Sequence, residues 1–187
     1  MNIDGQNMTT VFRQARDLCS EMGLLLTTAE SQMSEGGWVA SSRAAAAGGS
    51  QSLDQPRKWI PEYVHRYFTN PQHPHLLAFI AIVIEHGARD AVLPEPLLVF
   101  GWFECKDTVD ETTWWYEMCL AHFRAGDRTT DGDLLALPTS AVGSPKLQER
   151  LASAVTAAIP LVEIQTTEAL AERVTVPLDL GLQSVTS

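Results

Sequence analysis

Two apolar runs, LLAFIAIVI at residues 76–84 and LLVFGWFEC at residues 97–105, restrict what this chain can become more than any other feature. Each is about half the length of a membrane-spanning helix, which needs about 20 apolar residues. Their content of Ile, Val and Phe suits strands. The connection between them, HGARDAVLPEP, is too short to hold a helical crossover, so the two runs pair as an antiparallel hairpin. Unbroken apolarity also means burial on both faces of the sheet they form.

The remaining elements follow from periodicity. Val11, Ala15, Leu18, Met22 and Leu25 recur at helical spacing with Phe12 and Cys19 beside them, predicting an amphipathic N-terminal helix. Residues 27–55 are rich in Ser, Ala, Gly and Gln and show neither period, so they read as a flexible segment with Trp38 as its anchor. From Pro56 to Phe68 the spacing of Ile60, Tyr63, Val64, Tyr67 and Phe68 predicts a second helix, with His65 on its polar face. A third is expected around Trp114, Trp115, Met118, Cys119 and Phe123, and a short strand at 134–137. Ser144-Pro145 opens a predicted helix whose buried stripe is Leu147, Leu151, Ala154, Val155 and Ala158. Residues 161–164 read as a strand, and Thr166 or Thr167 caps a last short helix ended by Pro177.

These elements add up to one α+β domain over residues 1–187, a small antiparallel sheet centred on the hairpin at 76–85 and 97–106 and covered by helices. At 187 residues, a core of this size buries roughly two-thirds of the unfolded surface without staples. Cys19, Cys105 and Cys119 are odd in number and set in apolar runs, as expected for reduced, buried thiols in the cytoplasm. The N-terminal residues lack the basic and apolar regions of a secretory leader. A formal net charge of -10 opposes binding to nucleic acid or to anionic membranes.

Chemistry is thinly marked. No phosphate loop, paired CxxC, HExxH, GxSxG or dinucleotide fingerprint is present. His73 and His75, with His65 and His86 nearby, offer imidazoles for zinc at a spacing that matches no strong zinc pattern. Asp90 in the hairpin connection, and Glu104 and Lys106 at the end of the second run, resemble the acidic, acidic and lysine residues of PD-(D/E)xK nucleases. That resemblance covers only this short segment. It implies a Mg²⁺ ion held by the two carboxylates and a lysine that positions the attacking water. The preferred reading of the same residues is the solvated end of a strand leaving the core.

Trp114 and Trp115 lie among carboxylates that include Asp110 and Glu111. Adjacent helical residues diverge by about 100°, so one of the two indoles is expected to face outward. The leading expectation is therefore a cytoplasmic protein-binding or regulatory module of acidic, immunity-protein type, without a cofactor, that contacts a protein partner through Trp114, Trp115, Asp110 and Glu111.

Overall fold

In the computed structural model of this chain, the residues described are 5–41, 46–47, 54, 61–84, 95–109, 120–125 and 130–186. The two apolar runs become β4 (Leu76–Val83) and β5 (Leu97–Cys105), paired antiparallel as their connection requires. Before them come α1 (Gly5–Glu35), β1 (Val39–Ala40), β2 (Ala46–Ala47) and β3 (Tyr63–Thr69). After them come β6 (Leu135–Ala136), α2 (Pro145–Arg150), β7 (Leu151–Pro160), α3 (Thr167–Leu170), a π turn (Ala171–Thr175) and α4 (Val176–Thr186). The sheet is open and wholly antiparallel, in the order β1-β3-β4-β5-β7-β6, with β2 lying beside β1 along β3.

Every residue of β4 is buried, because both faces of the sheet are covered. On one face Phe68, Ile80, Phe100 and Trp102 pack under Met22, Leu26, Ala29 and Met33 of α1 and under Leu170, Val174, Leu178 and Leu182 from the C-terminal helices. On the other, Tyr67, Phe79 and Phe103 pack under Ala121, Val142 and Leu147. Trp38 is buried against the α1 side and anchors the turn that follows the helix.

Five expectations are corrected. Helix α1 runs on through Glu35, so residues 27–35 are not part of a flexible segment. Thr27 and Thr28 look like breakers, but their hydroxyls donate back to the carbonyls of Gly23 and Leu24, both at 2.9 Å, and stay inside the helix. Much of the remainder of 27–55 lies outside the described residues. The helix expected over 56–68 is instead strand β3 in its described part, with Tyr63, His65 and Tyr67 turned to one face and Val64 and Phe68 to the other.

The helix expected from Ser144 to Ala158 stops at Arg150, and Leu151–Pro160 is the ten-residue strand β7. The alanines that look helical are small partners for large neighbours: Ala154 sits opposite Phe103 and Ala157 opposite Phe100. At Gly101, opposite Thr156, a Cβ would lie 2.0 Å from the Val155 carbonyl oxygen, so only glycine lets β7 close on β5. Residues 161–163 form a 3-10 turn, not a strand.

Thr166 caps α3 as expected, its hydroxyl accepting from the Ala169 N–H at 3.1 Å. Pro177 does not end the segment, however, and α4 continues through it. A proline inside a helix removes one N–H and crowds the preceding turn. Here the wider π turn immediately before it takes up that misfit.

Candidate functional site

Helix α1 is 31 residues long, about 46 Å at 1.5 Å per residue. Its apolar stripe keeps one spacing throughout, yet its core contacts begin only at Met22. Ahead of that point Val11 is 61% exposed, Phe12 59% and Leu18 46%. Apolar side chains of this size, grouped on one helix face, are what a soluble surface normally avoids outside a contact site.

Where the stripe passes from exposed to buried, a groove of about 420 Å³ opens beside it. Met22, Leu25, Ile82, Leu161, Ile164 and Leu170 supply its apolar lining, and Glu21, Thr28, Gln165 and Thr166 its polar positions. Both walls are braced. Gln32 donates to the Thr167 carbonyl at 3.2 Å and accepts from the Thr175 hydroxyl at 2.7 Å, tying α1 to the C-terminal helices. The Leu161 N–H donates to the Pro96 carbonyl at 2.9 Å, and Arg173 pairs with Glu163, so the 3-10 turn is held from two sides. An ion pair between Arg66 and Glu30 fastens the buried half of α1 to β3.

The residues singled out from sequence fare differently. Glu104 accepts from the Ser153 hydroxyl at 2.7 Å, and Lys106 donates to the Glu149 carbonyl at 2.8 Å. Each is thus engaged by a different residue of the β7 side, while Asp90 lies outside the described residues. So do Asp110, Glu111, Trp114, Trp115 and Cys119. His73 and His75 stand with ring centroids 6.2 Å apart. No group of three metal-ligating side chains that suits an ion occurs among the described residues.

Two histidines are buried among the described residues. His122 shares a hydrogen bond of 2.9 Å between its Nδ1 and the Thr156 hydroxyl, a core histidine with a core partner. His65, expected on a polar helix face, lies instead in the interior between Tyr63 and Tyr67, with ring centroids 5.7 and 4.5 Å away. Its Nδ1 finds no hydrogen-bond partner among the described residues. Burial, with the Arg66 charge adding to it, pulls its pKa down from 6.5 to about 4.

The thiols also divide. Cys105 is buried, and burial pushes its pKa up to about 12, with Asp107 and Glu104 adding to the rise and Arg150 opposing it. Cys19 is exposed on the uncovered half of α1, which corrects the expectation that it is buried.

Sequence reasoning found the α1 stripe but not the groove, and it assigned residues 161–164 of the second wall to a strand. The described residues contain no helix long and apolar enough to cross a membrane. No family model, no curated protein and no solved structure matches this chain.

Proposed function

We propose that this protein is a protein-binding module that takes up an amphipathic helix in the groove between α1 and the 161–170 connection. The observation that carries the reading is the position of the groove, directly in line with an exposed apolar stripe on the same helix. Helix-in-groove docking uses apolar anchors spaced at i, i+3, i+4 and i+7 that enter an apolar trough with polar sides. The groove here has that composition, with walls held by the Gln32 and Glu163 contacts. A strongly acidic chain favours a partner helix that carries basic residues beside its apolar face, because opposite charge speeds encounter. We place this activity in the cytoplasm, where the exposed Cys19 stays reduced.

A photo-crosslinking residue placed at Leu25 in the native cell tests the reading, with Glu172, exposed on the π turn, as the control position. The expected product joins Leu25 to an amphipathic helical segment whose apolar residues face the crosslink. Labelling at Leu25 no greater than at Glu172 overturns the proposal.

A further inference from the structure

We infer that the helix taken up in this groove is basic along one flank, where two Lys or Arg residues four positions apart, beside its apolar anchors, meet Asp17 and Glu21 of α1. The inference rests on the helix-docking reading above and names what selects the occupant. The groove follows α1 from Leu18 to Thr28. Ten residues of helix rise about 15 Å, enough for partner anchors at i, i+4 and i+7. Apolar side chains stand out on both rims, with Leu24 63% and Val162 59% exposed, so apolar contact extends beyond the trough on either side.

Charge in the lining is confined to one wall. Glu21 lies one turn after Leu18 and one turn before Leu25, and Asp17 stands one turn before Glu21 on the same flank. Both carboxylates are exposed, and neither is ion-paired among the described residues. Arg16 is turned about 140° from Glu21 around the helix, and Arg13 lies about 12 Å from it along the axis. The groove residues of the 161–170 connection are uncharged. Arg173, the one cation of residues 161–175, is taken up by Glu163, while Glu168 beside Thr167 is exposed. The fixed charge bordering the groove is thus negative on both sides, which favours a basic flank and repels an acidic one. Asp17 and Glu21 are about 6 Å apart along α1, and a helix lying alongside offers cations at that separation from positions i and i+4. The apolar lining holds a helix, and these two carboxylates choose which helix.

Binding of three synthetic helical peptides to the full chain, followed by fluorescence anisotropy, tests the inference. The peptides share leucine anchors at i, i+4 and i+7 and differ only at two flank positions four apart, filled by Lys, Gln or Glu. The Lys peptide is expected to bind about five-fold more tightly than the Gln peptide, and the Glu peptide more weakly than either, with the differences shrinking as salt is raised. Asp17→Lys combined with Glu21→Lys is expected to reverse the order, so that the Glu peptide binds best. Leu25→Gln is expected to weaken all three alike, with Val162→Gln on the exposed opposite rim as the second variant should Leu25→Gln disturb the fold. Equal affinities for the Lys and Gln peptides, or an order unchanged by the double charge reversal, overturns the inference. If Leu25→Gln or Val162→Gln still weakens such binding, the groove reading survives and only the charge selection is wrong. Lys-peptide binding that both of these variants leave intact lies outside the groove and overturns both readings, as does the absence of binding by all three peptides at about 1 mM.

Discussion

The two halves of α1 share one backbone conformation and one apolar period, and they meet opposite fates. From Met22 to Met33 the stripe is buried against the sheet and the C-terminal helices, and from Val11 to Leu18 it faces solvent. Periodicity states which side of a helix is apolar. It does not state how far the neighbouring layer extends. That limit is set here by the reach of the sheet and of the 161–170 connection, which belong to distant parts of the chain.

Truncation separates the halves most sharply. Met33→Ala removes a side chain buried to 1% exposure and should cost about 3 kcal/mol in urea unfolding, whereas Val11→Ala on the uncovered half should change monomer stability by less than about 0.5 kcal/mol. Equal losses at the two positions would break the distinction.

Acid probes the covered region from the opposite face of the sheet. His65 is held neutral in the fold with a pKa of about 4, against 6.5 when the chain is unfolded. Between those values the unfolded chain binds the proton first. Stability should therefore be steady above about pH 6.5, fall as the pH drops toward 4, and lose up to about 3 kcal/mol over that window. His65→Phe should flatten this slope in urea titrations at successive pH values, and an unchanged slope would show that other groups carry the acid sensitivity.

The smallest effect lies where the halves join. Gly23 sits inside the helix, and a Cβ added there meets nothing within 4 Å. Gly23→Ala should raise stability by about 0.5 to 1 kcal/mol, measured as a higher urea midpoint at unchanged slope. A loss instead would mean that something packs closely on that surface.

What the sequence disclosed follows the same division between local and distant causes. The hairpin was legible because its strands are apolar without interruption and their connection leaves no room for a crossover. Strand β7 was not, because Ala154, Ala157 and Ala158 have no strand preference of their own; Phe103, Phe100 and Val99 opposite them select that conformation. Tyr63 to Phe68 satisfies helical and strand spacing equally, and pairing with β4 decides between them. Of the candidate site, the stripe on α1 was readable and the groove was not, since its far wall depends on a 3-10 turn pinned to the Pro96 carbonyl. Glu104 and Lys106 were marked by type alone; Ser153, which engages Glu104, belongs to a strand that local spacing concealed, and Glu149, which engages Lys106, lies in the short helix just before it.

The sheet's margins carry a consequence of their own. Along one margin the seven-residue β3 meets two strands of only two residues each, and along the other the ten-residue β7 meets β6, again of two residues. Among the described residues, such stubs occupy parts of the hydrogen-bonding border while offering an incoming chain no long template for strand addition. The most adhesive surface a β-rich interior can present is thereby shortened on both sides. Growth of a fibril by strand addition at this border is discouraged accordingly.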